Sequence, residues 1–304
     1  VRYRSALGRK DGEVERDVLG TRVDPGADAF ARNRDRNLAL IGQIHEQLAV
    51  ARAGGGPEKL ARHRSRDKLT IRERIALLCD QDRPFLELQP LIAWDTDFHV
   101  GGSTVQGIGV VAGVECLIGG ADPTVKGGAS NPYSVTKALR GLQVARENRL
   151  PVINLTESAG ADLRTQKEIF VRGGRTFREL TALSKAGIPT ISLVFGSSTA
   201  GGAYVPGMSD YTVMIEGRSK VFLGGPPLVR MATGEESTEE ELGGAEMHAR
   251  VSGLADHLAV DERDGIRITR QIVAGLGWEK LGPGPTLPAD PPVYDPEELL
   301  GIAS

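Results

Sequence analysis

Apolar residues in this chain recur first at helical spacing and then in short continuous runs, and the change of period divides it. Phe30, Leu38, Ile41, Ile44 and Leu48 recur at mostly helical spacing with arginines on the other face, which predicts a helix over 28–52. Gly54-Gly55-Gly56-Pro57 ends it. A second helix is predicted from Thr70, because Glu73 three residues later completes a capping box and Ile71, Ile75 and Leu78 form an apolar stripe. From Phe85 the pattern changes. Residues 85–88, 104–111 and 114–118 read as strands joined by short glycine-containing turns. Asn131-Pro132 supplies an N-cap and a proline at the first helical position for a helix to about Asn148. A buried strand over 151–155, an amphipathic helix over 167–185 carrying Ile169, Phe170, Phe177, Leu180 and Leu183, and a strand over 188–195 follow. A helix after Gly202, strands over 212–215 and 221–223, and a helix over 262–276 capped by Asp261 and stopped by Gly277 complete the pattern.

Strands and helices alternate through 104–276, with strand pairs before single helices, so an α/β core is expected. The reading gives a helical amino-terminal extension over 1–80, the core domain over 81–280, and a linker over 281–304. Six of the seventeen prolines fall between Pro283 and Pro296, and Pro296-Glu297-Glu298-Leu299-Leu300 looks like the start of another unit.

Composition narrows the function classes. The 304 residues are 40% hydrophobic and 25% charged, the balance of a globular protein. A net charge of -3 gives no electrostatic case for nucleic acid. Arg32, Arg34, Arg36, Arg62, Arg64, Arg66 and Lys68 alternate with acids or share a helical face, as on a solvated or subunit-facing helix. Cys79 and Cys116 lie in apolar segments without metal-ligand spacing, so buried reduced thiols and no metal are expected. No run approaches a membrane span and Val1-Arg2-Tyr3-Arg4 lacks an apolar signal core; a cytoplasmic location is expected.

Ser197-Ser198-Thr199-Ala200-Gly201-Gly202-Ala203-Tyr204-Val205-Pro206 is the most informative stretch. Two glycines just beyond a buried strand let backbone approach a ligand and leave N–H groups uncovered. If a helix starts at Ala203, those groups also sit at the positive end of its dipole. An anionic oxygen would suit that geometry, and so would an ordinary tight turn with no ligand. A second small-residue cluster, Ser158-Ala159-Gly160-Ala161, follows the preceding strand. In a parallel sheet the two clusters share the carboxyl edge, where ligands bind.

These residues bring a resemblance. Thr199 to Pro206, Leu223-Gly224-Gly225-Pro226-Pro227-Leu228-Val229, Ala232-Thr233-Gly234-Glu235-Glu236, Glu241-Leu242-Gly243-Gly244-Ala245, Leu69 to Ile75 and Glu157 to Ala161 closely resemble the carboxyltransferase (β) subunits of biotin-dependent acyl-CoA carboxylases. The Ala-Tyr-Val-Pro and Gly-Pro-Pro-Leu-Val variants are most similar to the 3-methylcrotonyl-CoA branch rather than the propionyl-CoA branch.

The resemblance implies a crotonase-like superhelix of ββα turns that binds acyl-CoA. Gly201 and Gly202 would donate N–H bonds to the thioester oxygen. Ser158, Ala159, Gly160 and Ala161 would line the CoA channel with Ala200 and Tyr204 beside it, and Gly225, Pro226 and Pro227 would face the carboxybiotin side. In that family CO2 is released from carboxybiotin in the site, an acyl proton passes to the biotin anion, and the enolate attacks CO2. The base thus comes from the cofactor.

Biotin would be carried on another subunit, since no Ala-Met-Lys-Met-type acceptor occurs here, and ATP and bicarbonate would be used by a biotin carboxylase partner. Homologous assemblies imply a hexamer whose site lies between the amino domain of one subunit and the carboxy domain of another, so this chain holds the amino domain.

Within that reading His45, His63, His99, His248 and His257 need no chemical role. Glu157 and Glu168 could form an acid/base pair as in hydratases of the same fold, and Ser197 or Ser198 as a nucleophile would need a His–acid partner that no motif identifies. Asp162 departs from the Arg that many relatives carry after Gly-Ala. A CoA-ester decarboxylase using the same chemistry in reverse, or a non-catalytic assembly subunit, would share these motifs.

Overall fold

The computed structural model describes residues 22–279 and 291–302. Residues 281–290 and 303–304 of the expected linker, and the amino end over 1–21, lie outside the described residues. In chain order the elements are α1 (Asp28–Arg52), α2 (Pro57–Arg64), α3 (Ile71–Leu78), β1 (Leu86–Glu87), β2 (Thr104–Val111), β3 (Val114–Ala121), α4 (Pro132–Asn148), β4 (Val152–Thr156) and α5 (Gln166–Lys185). They continue with β5 (Thr190–Val194), β6 (Ser197–Thr199), α6 (Tyr204–Gly207), β7 (Tyr211–Ile215), β8 (Lys220–Phe222), α7 (Pro226–Thr233), α8 (Glu239–Gly243), α9 (Ala245–Met247), β9 (His257–Ala259), α10 (Glu262–Gly275) and α11 (Glu298–Ile302). Among the described residues no helix is long and apolar enough to cross a membrane.

The backbone divides into two compact units, residues 45–286 and residues 1–44 with 287–304. In the larger, seven strands form one sheet in the order β1-β2-β3-β4-β5-β7-β9. β1, β2 and β3 pair antiparallel; Ala112-Gly113 is the short turn expected between β2 and β3, whereas β1 and β2 are joined by the long connection over 88–103 rather than a short turn, and β3, β4, β5, β7 and β9 pair parallel. The parallel strands are largely apolar because both faces are covered, with Asn154, Ser192 and Thr212 among their polar exceptions. Ile118, Ile153, Ile191, Leu193 and Val213 pack with Ile71, Ile75 and Leu78 of α3 and with Ile266 and Val273 of α10. Their neighbours Leu117 and Val152 point the other way, onto Leu142 and Ala145 of α4 and Leu180 and Leu183 of α5. A second sheet holds only β6 and β8, paired parallel.

The capping residues are those the sequence indicates. Thr70 and Glu73 form a capping box on α3, Asn131 accepts from Tyr133 and Ser134 at the start of α4, and Asp261 accepts from Asp264 at the start of α10. Cys79 and Cys116 are free thiols, and burial pushes the Cys116 thiol up to about 12. One expectation differs. Pro57, read as part of a stop, occupies the first position of α2 and starts it. On α1 Leu38 and Ile44 of the apolar stripe are exposed, Phe30, Ile41 and Leu48 are half-buried, and Ala51, outside the stripe, is buried. In the smaller unit Asn33 and Asn37 of α1 donate to the carbonyls of Gly301 and Leu300 at 3.0 and 2.8 Å. Gly301 has no space for a side chain, since a Cβ there would lie 2.1 Å from the Phe30 ring.

Candidate active site

β4 and β5 run parallel with Thr156 opposite Val194, so both chains leave the sheet at the same edge. Beyond β4 comes Glu157 and then the Ser158–Ala161 turn. Beyond β5 the backbone bends at Gly196, where a Cβ would come within 2.9 Å of Glu157 Oε1, and enters β6. The Ser158 N–H then donates to the Ser197 carbonyl at 2.9 Å, which binds the two exits together. In the small sheet Thr199 is the register partner of Phe222, so Ala200 and Leu223 emerge side by side. The segments that lead into the three sequence clusters around Ser158, Gly201 and Gly225 are therefore neighbours.

The Gly201-Gly202 turn is helical, but not as the sequence suggests. A 3-10 turn already begins at Ala200 and runs to Ala203, with α6 after it, so the glycines lie inside the first turn rather than before it. The leading N–H groups of a helical turn have no partner within it. Ala200 holds φ 53°, a left-handed conformation uncommon for a residue with a Cβ. At Gly201 a Cβ would meet nothing within 4 Å, and Gly201 is exposed. Tyr204, half exposed, packs its ring 4.9 Å from that of Phe177 on α5. Gly225 is the N-cap of α7, and Pro226 and Pro227 fill its first positions.

Beneath the Ser158 turn lies a buried charge network that sequence reasoning missed. Arg74 is fully buried on α3. Its Nη1 donates to Glu157 Oε2 at 2.7 Å, and its Nε and Nη2 donate to the two oxygens of Glu262 at 3.0 and 2.8 Å. The guanidinium also stacks 3.9 Å from the centre of the Phe195 ring. Lys68 Nζ takes the other oxygen of Glu157 at 2.5 Å. Burial pushes the Glu157 carboxyl up, but the Arg74 charge and the Lys68 hydrogen bond outweigh it and hold it below its ordinary value. The signal was present: Arg74 stands at the i+3 position of the stripe Ile71, Ile75, Leu78, a place for an apolar side chain.

Both oxygens of Glu157 are engaged by Arg74 and Lys68, which hold its carboxyl below its ordinary value, whereas Glu168 is exposed on α5. Ser198 Oγ is buried with no hydrogen-bond partner and lies 3.4 Å from the place a Cβ on Gly202 would take. No histidine activates it. His248 is instead occupied by Ser252 Oγ and by the Val221 carbonyl, both at 2.7 Å, and thereby braces β8. Among the described residues no group of three His, Cys, Asp or Glu side chains is placed to hold a metal ion.

Comparison with known proteins places the chain in a family. Residues 62–303 match the family model described as the carboxyl transferase domain. The chain is 61% identical over 285 residues to a probable biotin-dependent acyl-coenzyme A carboxylase beta2 subunit of Mycobacterium tuberculosis, covering 94% of this chain and 54% of that protein. It is 46% identical over 248 residues to the biotin-dependent 3-methylcrotonyl-coenzyme A carboxylase beta1 subunit of the same organism, covering 80% of this chain and 47% of that one. The beta subunit of geranyl-CoA carboxylase from P. aeruginosa superimposes with a TM-score of 0.83 at 44% identity, covering 93% of this chain and 53% of that one. The chain thus spans about half the length of the relatives it matches.

Proposed function

This chain belongs to the carboxyl transferase domain family and has its crotonase-like fold, and from that premise we propose that it forms the acyl-CoA half of a site that moves a carboxyl group from carboxybiotin to a short or branched acyl-CoA. The observation that carries the reading is the meeting of the Ser158–Ala161 and Ala200–Gly202 turns through the Ser158–Ser197 bond. The chemistry requires it. An acyl carbon becomes nucleophilic only as an enolate, whose negative charge rests on the thioester oxygen. Backbone N–H groups of Gly201 and Gly202 meet that oxygen, and fixed donors of this kind are worth about 3–4 kcal/mol each in the transition state. Ser158, Ala159, Gly160 and Ala161 line the path of the CoA arm, with Ala200 and Tyr204 at the acyl end. Small residues there let an extended chain lie against backbone.

Biotin, when bound, supplies the carboxyl group and the base. On the adjoining edge Gly224 and Gly225 form a small-residue ledge flanked by exposed Leu223 and Leu228, which suits a compact, largely apolar bicyclic group. Gly225, Pro226 and Pro227 hold that ledge through the start of α7. The reading includes a biotin carboxylase and biotin-carrier partner that uses ATP and bicarbonate, and a hexamer in which a second domain completes each site. A branched acyl group is favoured by the two relatives named for 3-methylcrotonyl- and geranyl-CoA.

Gly202→Pro removes one donor N–H without adding a charge. In the complete complex, assayed with acetyl-, propionyl- and 3-methylcrotonyl-CoA, transfer falls by about a hundredfold or more while the melting temperature stays close to that of the wild type. Near-normal turnover by a folded Gly202→Pro protein would refute the oxyanion role.

A further inference from the structure

Next to the Ser158–Ala161 turn stand two cations with no part in the chemistry above. Lys126, Gly127 and Gly128 form a run of three left-handed residues, with φ of 48°, 66° and 74°. For a lysine that conformation is costly. It persists because the run is stitched to the candidate substrate turn. The Ala159 N–H donates to the Gly127 carbonyl at 3.0 Å, Ser158 Oγ donates to the Gly128 carbonyl at 2.9 Å, and the Ser130 N–H donates to the Gly160 carbonyl at 2.8 Å.

The Lys126 side chain is 53% exposed and its Nζ lies 3.6 Å from Asp162 Oδ2. Arg164, 73% exposed, donates to Asp162 Oδ1 and Oδ2 at 2.9 and 2.7 Å. Two outward-reaching cations thus share one carboxylate, whose own side chain is only 9% exposed. Arg164's hydrogen bonds hold Asp162 ionised, at about 2, so one positive charge is left over at the rim. Ion pairs this exposed add little to folding. Their geometry suits recognition instead, because an ammonium and a guanidinium retain donors for a second anion while Asp162 fixes their direction. Lys126 Nζ also lies 5.8 Å from the Phe98 ring, which packs 5.3 Å from Tyr133. A half-buried aromatic pair beside a cation is suitable company for a nucleotide base.

We propose that Lys126 and Arg164, oriented by Asp162, form the rim that takes phosphate from the nucleotide end of the CoA thioester. The proposal rests on the acyl-CoA reading above and adds to it the groups that tell CoA from a phosphate-free thiol ester.

The test is the affinity of the intact protein for CoA, 3′-dephospho-CoA and pantetheine, in the wild type, Lys126→Gln, Arg164→Gln and the double variant. The wild type prefers CoA to pantetheine, and each single variant reduces that preference by about tenfold. Wild-type affinity for CoA also falls more steeply with added salt than that of the double variant. The 3′-dephospho-CoA arm tells which phosphate is read. A preference for CoA that survives both substitutions overturns the proposal, as does an equal loss for CoA and pantetheine, which would mark a structural role. Wild-type protein that binds pantetheine and CoA equally well refutes the rim but leaves the acyl-CoA reading standing. Wild-type protein that binds neither overturns the acyl-CoA reading and the rim with it.

Discussion

The turn after β4 and the turn after β6 lie side by side, yet they are held by opposite means. Ser158–Ala161 is tied to Ser197, Gly127 and Gly128 by its own hydrogen bonds, and Glu157 beneath it is clamped by Arg74 and Lys68. Ala200–Gly202 rests on the short β6–β8 pairing and on a strained Ala200; Gly201 faces open space, and Gly202 has only the small Ser198 hydroxyl near it. Under the proposed function the contrast separates two tasks. A turn that positions a long, mobile CoA arm gains from rigid anchoring. A turn that must present bare N–H groups to a developing charge gains from having no side chains near it. Buried charge supplies the anchoring at a desolvation cost, and the complete pairing of Arg74 with Glu157 and Glu262 offsets that cost.

Removing the clamp breaks the contrast most severely. Arg74→Met leaves Glu157 and Glu262 buried without their main partner and costs about 3–5 kcal/mol of stability, read as a lower urea midpoint. A stability equal to the wild type would show that the network is not what anchors the first turn. A smaller effect follows from pH. The folded Glu157 carboxyl is held below its ordinary value of 4.5, so its stabilisation is full above that value and is lost as pH falls through the folded value. Melting temperatures of the wild type and Glu157→Gln from pH 6 down to 3, each expressed relative to its value at pH 6, would coincide only if the clamp were absent. With the clamp present, the wild type loses more than the variant over that range.

Much of the frame was legible because its signals are local. The apolar runs of β4 and β5, the Thr70–Glu73 capping box and the Asn131-Pro132 start each lie within a few residues of what they determine. β6 was not legible, since Ser197-Ser198-Thr199 has no apolar pattern and becomes a strand only by pairing with β8. The start of α7 is present in the sequence as Pro226-Pro227, which the resemblance marked only as facing the carboxybiotin side. Of the site, both small-residue turns could be read from the chain. The Arg74 clamp could not be assembled from it, because its partners lie 83 and 188 residues away and only folding joins them. Lys126 was likewise hidden, because its bond to the site runs through the backbone of Gly127 and Gly128.

The central claim is that the open turn receives the thioester oxygen. A crystal structure of the complete complex with an unreactive acyl-CoA analogue measures this directly. The account predicts the acyl oxygen about 2.7–3.1 Å from the backbone nitrogens of Gly201 and Gly202. An acyl oxygen turned away from the turn, with neither nitrogen within about 3.5 Å of it, would contradict it.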